Sequence, residues 1–217
     1  AYDTDEGVFL IDTSSGSIEC QRLFTEGENK IPVYHPKKIT ITEHEGQTRL
    51  LVTGEWHYNP IIYSTAFDFD NPTEVDWQFA LDFYYNEDED GNRLSRNTEI
   101  LQSASEYWWT EVMSNRSDAD REEYTHSSIK KKTFGEITTY PNNPSIVIAS
   151  MQCNPSHQRH IPMHMYISYD GGQSFTIADE FADLPVHSSG NIQYFADKDK
   201  WYFSLGCASV YEVDNPF

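Results

Sequence analysis

Residues 168–175, which read SYDGGQSF, constrain the fold of this chain more than any other stretch. The apolar segment MHMYIS leads into them, and SFTIAD carries on from their end. Asp170 is placed to accept hydrogen bonds from the N–H groups of its own loop, and Gly171 and Gly172 can take a positive φ without a Cβ clash. Phe175 stands where the second strand leaves the turn and is expected to pack beneath it. The stretch therefore predicts a tight hairpin between antiparallel strands.

Strand patterns dominate the rest of the chain. Segments such as KITITEH, TRLLVTGEW, IIYSTAFDF, WQFALDFYY and KWYFSLG alternate β-branched or aromatic residues with polar ones between Gly, Asn, Asp and Pro turns. A hydrophobic fraction of 38% with 14% aromatic residues is enough for a packed core. No apolar run approaches the ~18 residues that a membrane-spanning helix needs. We therefore predict an all-β chain with no membrane span, folded as one domain over residues 1–217.

A weak repeat suggests how the strands are arranged. YSTAFDFDNP near residue 63 is similar to SVYEVDNP near the C-terminus, and the apolar inner-strand candidates LLVTG, EILQSAS, IVIAS and WYFSL begin near residues 50, 99, 146 and 201. Four-stranded propeller blades repeat at roughly 40–50 residues. The spacing favours a small β-propeller-like domain of about four to five antiparallel blades, with the first hairpin completing the last blade. An irregular β-sandwich is the alternative.

The SYDGGQSF stretch also resembles a known sequence motif. It matches the Asp-box pattern S-x-D-x-G-x-T-W, with Ser for Thr and Phe for Trp, and so resembles the Asp-box (BNR) hairpin of sialidase-like β-propellers. The matching structural residues are Ser168, Asp170, Gly172 and Phe175. In that family the box lies at the periphery of a blade. The resemblance therefore implies a fold and supplies no catalytic residue.

Net charge limits the partners of this chain. It carries 35 acidic and 15 basic residues, for a formal charge of −20. Such a field repels nucleic acid and attracts cationic partners. Solubility is the simpler explanation of the charge, and a negative surface matched to a basic protein is the more specific one. We expect a basic protein partner and no nucleic acid.

No established catalytic motif occurs in the chain, so we predict a protein that is not an enzyme. One stretch, NEDEDGN, opens like a calcium-binding loop, with Asn86, Asp88 and Asp90 as candidate ligands, but Asn97 replaces the bidentate Glu that such a loop requires. An acidic hairpin tip is the simpler interpretation, with no cofactor expected beyond possible calcium. Cys153 and Cys207 follow apolar strands and form a candidate disulfide in an oxidising compartment; buried free thiols are the alternative.

Two clusters combine aromatic and acidic residues in the way that interfaces favour. Both could equally be packing residues, and tryptophan faces also stack on sugars. As candidate partner-binding residues we select Tyr84, Tyr85, Glu87, Asp88, Glu89, Asp90, Trp108, Trp109 and Glu111.

Three functions follow from these features. The short acidic β-rich chain, with VFLID near its start and YISYDGGQSF later, resembles the immunity proteins that neutralise type VI secretion lipase effectors. This resemblance implies a periplasmic or secreted inhibitor that occludes a basic toxin or enzyme. The first alternative is a carbohydrate-binding or glycosidase-related propeller, with a glycan as its ligand. The second is a structural or adhesin domain of a larger secreted protein.

Overall fold

The computed structural model shows a chain built from β-strands. Apart from two short 3-10 turns, Asp179–Phe181 and Ala196–Lys198, all regular structure in the described residues is strand, which confirms the predicted all-β class. No helix in these parts of the chain is long and apolar enough to cross a membrane. The described residues are 8–12, 18–23, 34–56, 59–72, 74–82, 85–87, 93–95, 132–153, 165–181, 184, 189–205 and 209–217.

The first four-stranded sheet is an antiparallel meander in which each strand pairs with the next one along the chain. Its order is β3-β4-β5-β6. The turn between its first two strands is tight because Glu45 and Gly46 both take positive φ, at 51° and 78°, which matches the right-handed twist of the flanking strands. The strands are β3 (Tyr34–His44), β4 (Gln47–Trp56), β5 (Asn59–Ala66) and β6 (Gln78–Asp82).

The second four-stranded sheet has the same simple topology, in the order β9-β10-β11-β12. Its last two strands flank the SYDGGQSF turn, as the sequence predicts. The pairing of Tyr166 with Ile177 and of Ile167 with Thr176 fixes the register of this hairpin. The strands are β9 (Lys132–Thr139), β10 (Val147–Cys153), β11 (Met165–Ser168) and β12 (Thr176–Ile177).

The remaining strands form a three-stranded meander and two hairpins. The meander has the order β13-β14-β15, with strands Ser189–Phe195, Lys200–Leu205 and Ser209–Asp214. The first hairpin joins β1 (Val8–Asp12) to β2 (Glu19–Leu23). The second joins β7 (Tyr85–Glu87) to β8 (Arg93–Ser95).

The sheets stack face to face, and each of the two four-stranded sheets is buried on both sides. Along β5, Ile61 and Tyr63 pack toward the β1–β2 hairpin, whereas Ile62 packs toward the second four-stranded sheet. Along β10, Val147 faces the first sheet and Ile148 faces the three-stranded sheet. Successive strand residues point to opposite faces, so each apolar run supplies two cores.

One sequence prediction about strand pairing is wrong for the described residues. The first hairpin was expected to complete the last sheet, but β1 pairs with β2 and the hairpin packs on the face of the first four-stranded sheet through Leu23. Trp77 fixes this position, because it is buried and its Nε1 donates to the Leu23 carbonyl at 3.3 Å. The apolar segments that the repeat selected, LLVTG, IVIAS and WYFSL, lie in β4, β10 and β14, the second strand of each sheet. EILQSAS lies outside the described residues.

Candidate functional site

The SYDGGQSF turn is held by hydrogen bonds among its own residues. Asp170 Oδ1 accepts from the backbone N–H groups of Gln173 (2.9 Å) and Ser174 (3.0 Å), and Asp170 Oδ2 accepts from the Ser174 hydroxyl (2.5 Å). Ser168 Oγ donates to Asp170 Oδ1 at 2.6 Å and accepts from the Gly172 N–H at 2.7 Å. Both carboxylate oxygens of Asp170 are therefore occupied within the loop.

Hydrogen bonding also determines the ionisation of this carboxylate. Burial by itself would raise the pKa of Asp170, but the bonds from Ser168, Ser174 and Gln173 outweigh that effect and lower the pKa below its ordinary value. A charged Asp170 is what the loop requires, because its neighbours donate and it accepts. The turn thus uses the Asp170 carboxylate to hold its own structure.

The same turn joins neighbouring sheets. The Gly171 N–H donates to the Ser145 carbonyl at 2.9 Å, and His44 Nδ1 lies 3.0 Å from Ser145 Oγ. Gly171 and Gly172 take φ of 69° and 83°, and an added Cβ would lie 2.5 Å from His44 Cβ in one case and 2.5 Å from Leu51 Cδ2 in the other. Phe175 is buried in the core between the two four-stranded sheets. The turn therefore spaces one sheet from the next.

A second polar cluster, at the end of the three-stranded sheet, also satisfies its own hydrogen bonds. The Tyr194 hydroxyl donates to Asp199 Oδ1 at 2.6 Å. Asn215 Nδ2 donates to Asp199 Oδ1 and to the Tyr140 hydroxyl, both at 2.8 Å. Trp201 Nε1 donates to Asn215 Oδ1 at 3.0 Å. The cluster fixes the last residues of the described chain against the sheet.

An open cleft of about 560 Å³ beside the β3–β4 turn is the strongest candidate for a binding site in the part of the chain that the structure describes. Residues 46–48 line one side, and residues 66–70 with Glu74 line the other. Three of the lining side chains are carboxylates, from Asp68, Asp70 and Glu74, and none of the described lining residues is basic. We call this feature the acidic cleft. Its volume lies within the range typical of ligand sites.

Hydrogen bonds within the β5–β6 connection hold the carboxylate wall of the acidic cleft in place. Asp68 Oδ1 accepts from the Asp70 N–H at 2.9 Å, and Asp68 Oδ2 accepts from Asn71 Nδ2 at 3.0 Å. The Glu74 N–H donates to the Asn71 carbonyl at 3.1 Å. The pKa of Asp68 is lowered, first by the Asp70 N–H and then by Asn71, so Asp68 carries its charge at neutral pH.

An exposed aromatic ring completes the acidic cleft. The side chain of Phe69 is 68% exposed, and its ring meets the half-buried ring of Phe67 edge to face, with centroids 5.1 Å apart. The Phe67 N–H donates to the Thr48 carbonyl at 2.9 Å, which anchors the pair to β4. An aromatic face beside several carboxylates suits a cationic side chain, since the ring and the acids both attract positive charge.

The carboxylates of the acidic cleft line it without converging on one point. Among the described residues, no three His, Cys, Asp or Glu side chains lie close enough together to hold a metal ion. The chemistry of the cleft is therefore that of several separate acceptors, which can engage several donors of one partner.

Most of the sequence-selected interface residues fall outside the described parts of the chain. Tyr85, Asn86 and Glu87 form strand β7, whose backbone pairs with β8, so that Asn86 lies opposite Leu94. This hairpin flanks the acidic segment 88–92. Outside the described residues lie Tyr84, Asp88, Glu89, Asp90, Trp108, Trp109 and Glu111.

The calcium and disulfide hypotheses keep the status of predictions. Asn86 lies within strand β7, whereas Asp88 and Asp90 lie outside the described residues. Cys153 ends strand β10 as expected, and Cys207 is outside the described residues. Cys20 is exposed on β2.

Sequence reasoning missed the residues of the acidic cleft because it assigned Phe67, Asp68 and Phe69 to the strand segment IIYSTAFDF and gave the residues that follow no binding role. The signal was present, since FDFDNPTE alternates aromatic and acidic residues as strongly as the stretch selected around Tyr84. What the sequence does not reveal is that residues 46–48 lie opposite this segment, since that depends on the pairing of β4 with β5.

Comparisons with known proteins do not assign this chain to a family. No protein-family model matches the chain, and a search of curated proteins found no match. The fold and the acidic cleft therefore carry the functional argument.

Proposed function

We propose that this chain is a non-catalytic acidic binding protein that grips a basic protein partner, with the acidic cleft as part of its contact surface. The observation that carries the proposal is the joining of three carboxylates and an exposed phenylalanine around one open cleft on a chain of net charge −20. Long-range charge would steer the partner, and the cleft would give local recognition.

The expected mode of binding follows from the exposure of the cleft. A lysine or arginine of the partner would enter beside Asp70 and Glu74 and lie against the Phe69 ring. Exposed ion pairs contribute about 0–1 kcal/mol each, and an exposed cation–π contact about 0.5–1 kcal/mol. A single cationic side chain is therefore too weak an anchor, and tight binding requires further contacts on a broader surface.

The biological role that we propose is occlusion of a basic toxin or enzyme, as an immunity or inhibitor protein would do it, in the periplasm or outside the cell. Its support is the sequence resemblance to immunity proteins of type VI secretion lipase effectors, together with the negative charge of the chain. Steric blocking by a rigid β-scaffold needs no reacting group. Consistent with this, the acid of the SYDGGQSF turn is occupied by bonds from its own loop.

We also propose that the stacked sheets are blades of a small β-propeller. Three meanders follow one another along the chain, and the first strands of neighbouring sheets, β3 with β9 and β9 with β13, contact each other. Between β3 and β9, Lys38 pairs with Glu136 at 3.2 Å, and the Thr139 hydroxyl donates to the Ile41 carbonyl at 3.0 Å. The SYDGGQSF turn lies at the opposite edge of its sheet. An experimental structure with sheets radiating from one axis would support this arrangement, and parallel layers would exclude it.

The binding proposal is tested with the products of the genes adjacent to this one. Each is co-expressed with the full chain, and the dissociation constant of any complex is measured at low and high salt. The double variant Asp70→Asn/Glu74→Gln should weaken binding by at least tenfold, or about 1.4 kcal/mol. The control, Asp179→Asn/Asp197→Asn, removes the same charge from exposed positions that do not line the cleft and should change binding less than about threefold.

Two results would contradict the proposal. If the cleft variant and its control weaken binding equally, only net charge matters and the cleft has no special role. If affinity does not fall as salt screens charges over a Debye length of about 8–10 Å, charge matching is not the basis of the complex.

A glycan is the second candidate ligand, because an exposed ring beside carboxylate acceptors also suits a sugar. The aromatic face of Phe69 would stack on the sugar ring, and the carboxylates of Asp70 and Glu74 would accept hydrogen bonds from the sugar hydroxyl groups. Screening the full chain on a glycan array separates the two ligands. Binding that is lost in Phe69→Ala but is insensitive to salt would favour the sugar.

A further inference from the structure

A buried arginine lies next to one wall of the acidic cleft. Arg49, on strand β4, is 9% exposed. Its Nε donates to the buried hydroxyl of Ser64 at 3.0 Å, and its Nη1 donates to Gln47 Oε1 at 3.2 Å. Burial lowers the pKa of Arg49, and the nearby charge of Asp170 partly offsets that effect. Because a guanidinium keeps its proton in proteins, a fixed positive charge lies beside the side-chain amide of Gln47.

The charge of Arg49 fixes the orientation of the Gln47 amide. A guanidinium has donors and no acceptor, so the amide must turn its oxygen toward Arg49 and its nitrogen away from it. The reverse orientation would set N–H groups against N–H groups. It would also deprive a buried cation of an acceptor, which costs more than the loss of a hydrogen bond between neutral groups. The amide therefore has one defined orientation although Gln47 itself is exposed.

The amide nitrogen of Gln47 gives the acidic cleft a hydrogen-bond donor. Gln47 lines the cleft, and no described residue accepts a hydrogen bond from its Nε2. The facing wall carries the carboxylates of Asp70 and Glu74 and the exposed ring of Phe69. One wall therefore offers N–H donors, and the other offers acceptors. A ligand that carries only a positive charge would use one wall and leave the donors of the other without a partner.

A basic residue within a peptide has the chemistry that satisfies both walls. Its cationic side chain donates to carboxylates, and its main-chain carbonyl accepts from an amide N–H. A lone amine or guanidine lacks the carbonyl, and an acidic peptide would be repelled by the carboxylates. The volume of the cleft, about 560 Å³, lies in the range of sites that hold whole small ligands. A complete residue, backbone included, is therefore the ligand that fits best.

We propose that Gln47, held by Arg49, makes the acidic cleft select a basic residue together with its main-chain carbonyl. Gln47 Nε2 donates to that carbonyl, and Arg49 is a positioning residue that acts through Gln47. The cationic part of the ligand rests on the proposed function, whereas the carbonyl rests on the bond between Arg49 and Gln47. The partner would accordingly bring an exposed peptide segment into the cleft, and the tip of a long side chain alone would bind less well.

Two small compounds separate the carbonyl from the charge. Nα-acetyl-arginine N-methylamide and butylguanidine each carry one guanidinium, but only the first has peptide carbonyls. Each is titrated against the full chain, and the dissociation constant is measured from the NMR shifts of the amides of residues 46–48 and 66–70. The arginine compound should bind about threefold to tenfold more tightly than butylguanidine, which is the range expected for one net hydrogen bond.

Two variants test the donor and its positioning separately. Gln47→Glu keeps the shape of the side chain and can still accept from Arg49, but it presents an oxygen to the cleft in place of the N–H group. It should bind butylguanidine at least as tightly as the unchanged protein does and lose the preference for the arginine compound. Arg49→Met removes the group that orients the amide, so the preference should shrink even if both cations bind more tightly.

Gln193→Glu is the matched control for the added charge. Gln193 is exposed on β13 and does not line the acidic cleft. The variant makes the same chemical change as Gln47→Glu at a position outside the site. It should keep the preference for the arginine compound.

Different outcomes overturn different parts of the reasoning. Equal binding of the two compounds to the unchanged protein would mean that the cleft recognises charge alone, which overturns the inference and leaves the proposed function intact. A preference that survives in Gln47→Glu would show that Gln47 is not the donor, and one that survives in Arg49→Met would show that Arg49 does not position it. Absence of binding by either compound would overturn this inference and also the cleft as the cation site of the proposed function.

Discussion

Replacing Gly172 by alanine should destabilise the protein for two separable reasons. Gly172 has a φ of 83°, a conformation that costs an alanine about 1–2 kcal/mol. Its new Cβ would also lie 2.5 Å from Leu51 Cδ2 and 3.0 Å from Leu51 Cγ. Leu51 is completely buried between the two four-stranded sheets and has little room to move, and overpacking of this kind costs about 1–3 kcal/mol. The free energy of unfolding should fall by about 2–5 kcal/mol in total.

Gly46→Ala is a matched control for the backbone term. Gly46 has a similar φ of 78°, but nothing lies within 4 Å of its added Cβ. Gly46→Ala should therefore lower the free energy of unfolding only by the cost of the backbone conformation, about 1–2 kcal/mol. Urea unfolding followed by tryptophan fluorescence measures both variants, since Trp77 and Trp201 are buried and will report loss of packing. The m-value should stay the same, so that a shift in midpoint reports stability.

A double-mutant cycle tests the clash directly. In a Leu51→Ala background the two methyl groups that block the Cβ are gone, so the added cost of Gly172→Ala should fall to that of Gly46→Ala. The reasoning is refuted if Gly172→Ala is no more destabilising than Gly46→Ala. It is also refuted if the cost of Gly172→Ala is unchanged when Leu51 is alanine, because the close approach would then not be the cause.

Three further changes follow from the hydrogen bonds described above, and urea unfolding measures each of them. Asp170→Asn should lower the free energy of unfolding at pH 7 by about 1–2 kcal/mol. The pKa of Asp170 is lower in the folded protein than in the unfolded chain, so the difference in stability between the two proteins should be fully present above the unfolded pKa of about 4. It should disappear as the pH falls through the lower pKa of the folded protein. Ser64→Ala removes the acceptor of buried Arg49 Nε, now at 3.0 Å, and should cost about 1–3 kcal/mol, more than the exposed Ser174→Ala. Tyr194→Phe removes the 2.6 Å hydrogen bond to Asp199 and should lower the free energy of unfolding by about 1 kcal/mol. Because the phenylalanine ring keeps the packing of the tyrosine ring, the tryptophan emission of the folded protein should not change.

Local features of the fold could be predicted where the sequence specifies backbone conformation. The SYDGGQSF turn is the clearest example, since Asp170 accepts loop N–H groups and both glycines take positive φ as expected. The strands around Val52 and Ile148 could likewise be predicted, because a run of β-branched and apolar residues indicates a strand whichever sheet that strand belongs to.

Long-range features could not be predicted in the same way. The first hairpin packs on a sheet face because Trp77 reaches the Leu23 carbonyl, 54 residues away in the chain, and nothing in the local pattern specifies that contact. The acidic cleft depends on Gln47 and Thr48 lying opposite the β5–β6 connection. Asp68, Phe69 and Asp70 have the composition of a binding site in the sequence, but only the strand pairing shows that they face a cleft.

The stacking of sheets with two buried faces makes the molecule intolerant of insertions within its strands. A single added residue in β10 would move Val147 and Ile148 into each other's cores, so the error would reach two interfaces instead of one. An insertion in a loop between sheets does not change which core each strand residue faces. Sequence drift in proteins of this design should therefore concentrate in the connections, and a single residue added within a strand should be tolerated only where a β-bulge absorbs it, as between β9 and β10.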